Sequence, residues 1–323
     1  MKIKFGPSGL GSVDTAIKTL KKYNIPVVMT LHDYKLISPN YNLLRRGKIW
    51  EKSRPDKYYK CFFDRCVKDS YLKSLICTVE AYLHKWLRVY NEVDAFISPS
   101  RFLMNKFKEF GFKREIIYLP NPLLPDADQS GRGDENAMGK YILYFGRLSE
   151  EKGIGDLIKA FSLLKTSYKL VIAGAGPQKE ELEKVAKEKG LEKNIIFAGR
   201  KQGVNLWKLV KEAEFVVAPS CWYENAPYSV IEAMGLTKVV VCANIGGLSE
   251  IVKDGESGFL FEAGNVNKLI KVMSRLLGLN EEEKRKIGER AAAAIREKNN
   301  KEIYYKDLVG IYEKTISGKK NKK

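Results

Sequence analysis

The sequence predicts an α/β protein of two domains, and three observations lead to this prediction. The chain has 323 residues, which is more than one domain usually holds. Hydrophobic residues make up 44% of it, enough to form real cores. In the second half, short apolar runs alternate with segments of helical length. Such alternation is typical of a parallel sheet whose strands are joined by right-handed helical crossovers.

The second half is predicted to contain six strands with helices between them. Each strand is a short apolar run bounded by turn residues, which is the pattern of a buried strand. The predicted strands are Tyr141–Phe145, Lys169–Ala173, Ile195–Ala198, Glu214–Ala218, Lys238–Cys242 and Gly258–Phe261. Two charged amphipathic helices are predicted over residues 281–314, and a basic end follows from Gly318 to Lys323.

The first half shows a similar alternation around an irregular stretch. One predicted strand ends at His32-Asp33, so His32 stands at the carboxyl end of a strand, where open α/β sheets bind ligands. The other histidine, His84, is interpreted as structural. The predicted strands are Met1–Phe5, Ile25–Leu31, Val93–Ser98 and Ile116–Leu119, the predicted helices are Val13–Tyr23, Leu75–Tyr90 and Arg101–Phe110, and Gly6–Gly11 is a predicted loop.

The irregular stretch, residues 38–70, is basic and aromatic and contains Cys61 and Cys66. The chain has five cysteines, an odd number at uneven spacing, which argues against a disulfide framework. Two thiols alone do not make a closed zinc site, so no metal is predicted. Two interpretations of the aromatic residues remain open: they face an acceptor or a membrane, or they form a locally packed surface loop. These residues are Tyr41, Trp50, Tyr58, Tyr59 and Phe62.

The charge of the chain is uneven. The net charge is +18, and residues 1–120 hold 23 Lys and Arg against 11 Asp and Glu. A basic first half suits an anionic lipid surface, nucleic acid or a phosphorylated acceptor, and a lysine-rich surface of a thermophilic protein is the alternative. No nucleic-acid-binding motif is recognised, so no specific nucleic acid is expected. The start of the chain has no signal-peptide core, which predicts a cytoplasmic protein that could associate with the inner membrane face.

The stretch from Pro219 to Glu250 carries the strongest functional pattern. A predicted strand ends at Pro219-Ser220, Glu224 follows, and a helix is predicted over Tyr228–Leu236 with Glu232 inside it. Two carboxylates with seven residues between them therefore lie at a strand-to-helix junction. The free N–H groups at the start of that helix, near Ser229 and Val230, are expected to form an anion site.

With WYENAPYSVIEAMG around the two glutamates and GGLSEIV after them, the sequence resembles retaining family 4 glycosyltransferases. The resemblance covers nearly all of the chain from Ile25 onward. It implies the GT-B fold, in which two Rossmann-like domains face a cleft. The strand ending in His32 comes several strand–helix units into the domain of the family. The resemblance therefore implies a truncated or reduced first domain over residues 1–122 and weak transfer activity.

The resemblance also implies which residues bind the donor. Gly146, Arg147 and Lys152, in GRLSEEKG after the first strand of the second domain, would hold the diphosphate. Gly174 would let the backbone approach the ligand closely. Further along the chain, Arg200 would read the nucleobase, Glu232 would bind the ribose hydroxyls, and Ser229 and Val230 would assist at the diphosphate.

Glu224 and His32 are the residues that the resemblance places at the transferred sugar. Glu224 would contact the hydroxyls of the sugar and position its anomeric carbon, and His32 would face the sugar or the acceptor from the other domain. Fixed cations and helix dipoles would neutralise the leaving group, so no metal and no cofactor are expected. The nucleotide sugar, UDP- or GDP-linked, would be a co-substrate.

The sequence therefore predicts a retaining glycosyltransferase that moves a sugar from a nucleotide-diphosphate sugar to a glycan or lipid-linked acceptor. Two alternatives remain: a non-catalytic nucleotide-sugar-binding remnant, and another GT-B enzyme such as a nucleotide-sugar epimerase. The predicted domains are residues 1–122 on the acceptor side, a linker over 123–139, a donor-binding domain over 140–300, and a crossing helix with a basic tail over 301–323.

Overall fold

The computed structural model describes residues 12–124 and 139–320 of the chain. The chain divides into two compact units: a first unit of Met1–Pro120 with Glu302–Lys323, and a second unit of Asn121–Lys301. Most of the predicted linker, residues 125–138, lies outside the described residues, as do the predicted strand Met1–Phe5 and loop Gly6–Gly11.

The first unit is built on a three-stranded parallel sheet with the order β1-β4-β5. The last helix of the chain packs on it, because Ile311 lies in one apolar cluster with Ile97 and Leu119. The elements are α1 (Ser12–Lys22), β1 (Val28–Thr30), β2 (Leu44–Arg45), β3 (Lys48–Ile49), α2 (Tyr59–Phe63), α3 (Tyr71–Trp86), β4 (Ala95–Ser98), α4 (Arg101–Glu109), β5 (Ile116–Tyr118) and α12 (Lys301–Lys320).

The second unit is an open, doubly wound α/β unit. Its six strands are all parallel and lie in the order β11-β10-β9-β6-β7-β8. The elements are β6 (Tyr141–Phe145), α5 (Ile154–Leu163), β7 (Lys169–Ala173), α6 (Lys179–Glu188), β8 (Ile195–Gly199), α7 (Gly203–Glu212), β9 (Val216–Ala218), α8 (Tyr228–Gly235), β10 (Val240–Ala243), α9 (Leu248–Ile251), β11 (Phe259–Phe261), α10 (Val266–Leu277) and α11 (Glu281–Lys298).

The order of the strands fixes where a ligand can bind. From β6 the chain adds β7 and β8 on one side, and then it adds β9, β10 and β11 on the other. The order therefore reverses between β6 and β9. In open α/β sheets, ligands bind at the carboxyl ends of the strands at such a point, because the two connections leave toward opposite faces of the sheet.

Burial explains why the sequence predicts the strands of the second unit well. All five residues of β6 are buried, and one apolar cluster covers each face of the sheet. A strand buried on both faces needs an uninterrupted apolar run, which is a strong signal in a sequence. The six predicted strands of this unit are confirmed to within two residues at each end.

The structure corrects the prediction for residues 38–70 in several respects. This stretch contains the hairpin β2–β3 and the helix α2, and Cys61 and Cys66 form a disulfide bond with their Cα atoms 4.9 Å apart. The argument from the number and spacing of the cysteines, which speaks against a disulfide framework, does not predict this single bond. The turn at the end of α2 brings them together, since the Cys66 N–H donates to the Cys61 carbonyl oxygen at 3.0 Å.

Two of the aromatic residues in the same stretch are core residues. Trp50 is buried with the disulfide, and its indole N–H donates to Asp64 Oδ2 at 2.8 Å. Tyr58 is buried as well, so neither residue faces an acceptor or a membrane. The helix that follows begins at Tyr71, four residues before the predicted Leu75, because Ser70 caps it by accepting a hydrogen bond from the Lys73 N–H.

Two glycines in helices give a paired test of the packing. Gly288 in α11 lies against the backbone of Thr237, where an added Cβ would stand 2.0 Å from the carbonyl oxygen. An added Cβ at Gly310 in α12 would have no atom within 4 Å. Gly288→Ala should therefore lower the free energy of unfolding by roughly 1–3 kcal/mol, since α11 must move away.

Gly310→Ala should raise that free energy by about 0.5–1 kcal/mol, because alanine has the higher helix propensity. Denaturant unfolding of both variants would measure the two effects. Effects of the same sign would contradict the packing of α11 on Thr237.

Candidate functional site

The carboxyl ends of β6 and β9 bring together two of the predicted site residues. Lys152 lies in the connection after β6 and Glu224 in the connection after β9. The Lys152 ammonium donates to Glu224 Oε1 at 2.6 Å, and the Ser220 hydroxyl donates to the same oxygen at 2.5 Å. Glu224 is only 5% exposed. A buried carboxylate needs such partners, because burial without them is costly.

Gly246 and Gly247 hold the backbone on the other side of Glu224. The Gly247 N–H donates to the Glu224 carbonyl oxygen at 2.6 Å. A Cβ at Gly247 would stand 1.7 Å from the Asn225 carbonyl oxygen, and a Cβ at Gly246 would stand 2.4 Å from the Glu224 carbonyl oxygen. The two glycines thus let the connection after β10 approach the connection after β9 closely enough to fix Glu224.

The glycines after β6 and β7 have a similar structural role. Gly146 has φ +151°, and its N–H donates to the Ala173 carbonyl oxygen at 3.0 Å. A Cβ at Gly174 would stand 1.9 Å from the Gly146 carbonyl oxygen. The neighbouring connection therefore occupies the Cβ position of Gly174, which explains the glycine structurally, and the approach of a ligand to its backbone stays a prediction. Gly153 is constrained in the same way by the Pro219 carbonyl oxygen, 2.1 Å from an added Cβ.

The predicted cations differ in their surroundings. Lys152 lies 5.5 Å from the ring centre of Trp222 in addition to its contact with Glu224. Arg147 is exposed, and its backbone is held because the Tyr144 hydroxyl donates to its carbonyl oxygen at 2.8 Å. Within the described part of the chain, the Arg147 guanidinium forms no ion pair. It is therefore available to an anionic ligand.

Glu232 differs from Glu224 in having no partner among the described residues. It lies in α8, half-buried, and its carboxyl group makes no hydrogen bond or ion pair to any residue that the structure describes. Burial raises the pKa of Glu232 to about 7. A desolvated carboxyl that lacks a partner among the described residues, on the helix that follows β9 at the switch in strand order, can accept hydrogen bonds from the hydroxyls of a ligand.

The start of α8 offers fewer free donors than the sequence predicts. The Val230 N–H already donates to the Pro227 carbonyl oxygen at 3.1 Å, and Val230 is fully buried. The prediction that Val230 offers a free N–H to an anion is therefore wrong. Ser229 is partly exposed in the first turn of the helix and remains a candidate hydrogen-bond donor to an anion.

Two other predicted site residues lie away from this cluster or in the other unit. Arg200 is exposed after β8, an edge strand that β7 separates from β6. None of the described contacts joins Arg200 to Lys152 or Glu224. His32 is exposed at the carboxyl end of β1 in the first unit, next to Asp33, whose pKa is raised by burial. His84 contacts the Tyr90 hydroxyl through Nδ1 at 3.2 Å.

Ser220 and Trp222 belong to the site, although neither is among the residues predicted from the sequence. Ser220 completes the contacts of Glu224, and the indole N–H of Trp222 is buried without a partner among the described residues. A signal for Ser220 exists in the sequence, because it directly follows a strand that ends at the ligand edge of the sheet. Trp222 has no such signal, since its position depends on the course of the connection after β9.

Metal-binding clusters and membrane-spanning helices are absent from the described ranges, residues 12–124 and 139–320. In these ranges no three His, Cys, Asp or Glu side chains are placed to hold a metal ion together. Nor does any helix there combine the length and the apolar composition that crossing a membrane requires.

A family model described as Glycosyl transferases group 1 matches residues 127–294. Among curated proteins, an N-acetylgalactosamine-N,N'-diacetylbacillosaminyl-diphospho-undecaprenol 4-alpha-N-acetylgalactosaminyltransferase of Campylobacter jejuni is 33% identical over 54% of this chain and 47% of its own length. A lipopolysaccharide 1,2-N-acetylglucosaminetransferase of Salmonella typhimurium is 33% identical over 62% of this chain and 56% of its own length. The chain thus spans about half the length of these relatives.

Two solved structures are similar over most of the chain. Anabaena Alr3699/HepE, in complex with UDP and glucose, has a TM-score of 0.72 at 18% identity and covers 93% of this chain and 75% of its own. Sucrose-phosphate synthase from Thermosynechococcus elongatus has a TM-score of 0.74 at 17% identity and covers 95% of this chain and 72% of its own. Likeness at this identity concerns the fold alone.

The pKa of Glu232 leads to a prediction about stability. Because this pKa is about 7 in the folded chain and 4.5 for a glutamate free in water, the folded protein loses stability as the pH rises between these values. Glu232→Gln should therefore be more stable than the wild type at about pH 8, by about 1–2 kcal/mol after allowance for the part of the carboxyl that water screens.

Below about pH 4 the two proteins should be equally stable, because Glu232 is protonated in both states. Denaturant unfolding at a series of pH values would measure this difference. Glu180→Gln, which changes an exposed glutamate of α6, is the matched control and should show no such trend. A difference independent of pH would contradict the assignment to the Glu232 carboxyl.

Proposed function

This chain belongs to the glycosyl transferases group 1 family and has the GT-B fold that the sequence predicts, and from this premise we propose that it is a retaining, family 4 type enzyme. It transfers a sugar from a nucleotide-diphosphate sugar to a glycan or lipid-linked acceptor. One observation carries the proposal. At the switch in strand order, Lys152 and Ser220 fix one buried carboxylate, Glu224, while a second carboxyl, Glu232, is desolvated and has no partner in the described chain.

The diphosphate is bound by the cations after β6. Arg147 is exposed and forms no ion pair with any described residue, and the Lys152 ammonium lies in the same connection after β6. Charge develops on the diphosphate as the bond to the sugar breaks, so cations that are already in place stabilise the transition state more than the ground state. Ser229, in the first turn of α8, adds a donor.

The two glutamates bind different parts of the donor. Glu232 accepts hydrogen bonds from the ribose hydroxyls, which supply the partners that it lacks. Glu224 accepts from hydroxyls of the transferred sugar through the carboxylate oxygen that Lys152 and Ser220 leave open, and this positions the anomeric carbon. His32 remains a proposal for contact with the sugar or the acceptor. Arg200 remains a proposal for the nucleobase.

The transfer step exchanges one C–O bond for another. The acceptor hydroxyl oxygen bonds to the anomeric carbon from the face that the diphosphate leaves, so the configuration is retained. The bond between the anomeric carbon and the diphosphate oxygen breaks, and its electron pair stays on the diphosphate. The acceptor proton passes to a phosphate oxygen of the leaving group. Lys152 and Arg147 hold that charge, and the step requires no metal.

The relatives support the substrate classes of the proposal. The Campylobacter relative is named for a diphospho-undecaprenol substrate and the Salmonella relative for lipopolysaccharide, so both names point to lipid-linked glycans. Solved neighbours include complexes with UDP and with UDP-glucose. For this chain we propose a UDP- or GDP-linked donor and a role in making a lipid-linked polysaccharide at the inner membrane face.

Turnover is the decisive test of the proposed function. Radiolabelled UDP- and GDP-sugars would be incubated with the full chain and mixed lipid and glycan extracts, and transfer of label would be followed. We expect transfer by the wild type and a loss of roughly 100–1,000-fold in Glu224→Gln, which removes the charge at a preorganised site. Donor binding without any turnover by the wild type would instead favour a non-catalytic nucleotide-sugar-binding protein.

A crossed binding experiment tests the parts of the donor site. Arg147→Ala should weaken binding of the nucleoside diphosphate about tenfold or more and leave binding of the nucleoside unchanged, because only the former carries the charge that Arg147 meets. Glu232→Ala should weaken binding of both ligands by a similar factor, since both carry the ribose hydroxyls.

Calorimetry for the diphosphate and NMR titration for the nucleoside would measure these affinities. Lys193→Ala, which removes an exposed cation near the amino end of β8, is the matched control and should change neither. If Arg147→Ala weakened both ligands equally, the side chain would act on the fold of the connection and not on phosphate.

A further inference from the structure

The outward face of α3 is apolar, although it is exposed. Six large side chains, Leu72, Leu75, Ile76, Val79, Leu83 and Trp86, are between 41% and 79% exposed. Their spacing of three and four residues places them on one side of the helix. We call this side the α3 outer face. A surface helix usually turns such a stripe toward the core, so this helix has the reverse orientation.

Polar contacts fix that orientation. The inward side of α3 carries Ser74 and Thr78, both buried. The Ser74 hydroxyl accepts a hydrogen bond from the Val67 N–H at 3.0 Å, and the Thr78 hydroxyl donates to the Tyr58 carbonyl oxygen at 3.4 Å. A rotation of the helix that buried the apolar stripe would break these bonds. The α3 outer face is therefore exposed as part of a defined packing arrangement.

Aromatic residues of α2 extend this face beyond the start of α3. Phe63 is 68% exposed, and the ring of Phe62 contacts that of Tyr71 with 5.6 Å between their centres. Arg65 lies over the same tyrosine at 5.0 Å from the ring centre. The apolar surface thus continues onto an aromatic end with a cation beside it, a composition typical of the membrane interface.

The charge around the α3 outer face is positive. Residues 57–88 carry seven Lys and Arg against three Asp and Glu. Each of the three acids is already paired with a cation from outside this segment: Asp64 with Lys52 at 2.9 Å, Asp69 with Arg46 at 2.9 Å, and Glu80 with Lys35 at 2.5 Å. Among the cations, Lys57, Lys68, Lys73 and Arg88 are exposed, and Lys85 is exposed but pairs with Asp56, just outside this segment, at 2.5 Å.

We propose that the α3 outer face binds the surface of an anionic lipid bilayer. A helix of 16 residues is about 24 Å long, too short to span a bilayer but suited to lie in its interface. Its apolar side enters the acyl boundary while the surrounding cations meet anionic head groups. A second copy of the chain is a poorer occupant, because pairing two such faces would bring two positive rims together.

This inference extends the proposed function by naming the surface that presents the enzyme to a lipid-linked acceptor, but binding to vesicles does not depend on sugar transfer. The test is cosedimentation of the full chain with vesicles of phosphatidylcholine that contain about one third phosphatidylglycerol, without any nucleotide sugar. The wild type should bind these vesicles at least tenfold more strongly than vesicles of phosphatidylcholine alone, and salt should weaken the binding.

A matched pair of variants locates the surface. Val79→Glu with Leu83→Glu changes two exposed residues of the α3 outer face, and Val204→Glu with Leu163→Glu makes the same changes at exposed positions of the second unit. The first pair should lower vesicle binding at least tenfold. The second pair, which alters net charge equally, should lower it by less than about threefold. Circular dichroism would check that both double variants are folded.

Three results would overturn the proposal. One is a wild type that does not bind the anionic vesicles. Another is an equal loss of vesicle binding in the two double variants, which would mean that the change in net charge alone explains the loss. In the third, the wild type forms dimers in light scattering and does not bind vesicles, while the Val79→Glu, Leu83→Glu variant is monomeric. That result would assign the face to a second copy of the chain.

Discussion

The candidate site depends on one interaction, the burial of the Glu224 carboxylate against Lys152 and Ser220. These three residues come from the connections after β6 and β9, the two strands between which the strand order reverses. A carboxylate this deeply buried is stable only with a cation and a hydroxyl in place. The contact therefore ties the two connections to each other and leaves one carboxylate oxygen for a ligand.

Backbone contacts surround this interaction and explain the glycines of the site. Gly153, Gly174 and Gly247 each face a carbonyl oxygen of a neighbouring connection, at a position that a side chain would have to share with it. The connections after four different strands thus form one interlocked layer at the edge of the sheet. Such a layer holds Glu224 and Lys152 before a ligand arrives, which is the condition for electrostatic preorganisation.

The strands of the second unit could be predicted from the sequence because complete burial on both faces leaves an uninterrupted apolar run, as in Tyr141–Phe145. The pairing of Lys152 with Glu224 could not be predicted, since 72 residues separate them in the chain and only the strand order makes them neighbours. Local geometry also decides whether a single backbone N–H group is free to bind a ligand. The Val230 N–H looks free from its position at a helix start, but a tight first turn occupies it with Pro227.

Helix α3 shows a different limit of sequence patterns. The sequence predicts a helix here, over Leu75–Tyr90, but the spacing of its apolar residues does not tell which side faces the protein. That choice depends on Ser74 and Thr78, whose hydroxyls bond to the backbone of the preceding segment and so direct the apolar side outward. Turning the apolar side inward would break these two hydrogen bonds, and a buried hydroxyl without a partner costs free energy. The outward orientation instead leaves a large apolar patch exposed, which is typical of a surface that another body covers. On the proposal made above, a lipid surface covers this apolar side, and the hydrogen bonds of Ser74 and Thr78 are what presents it to that surface.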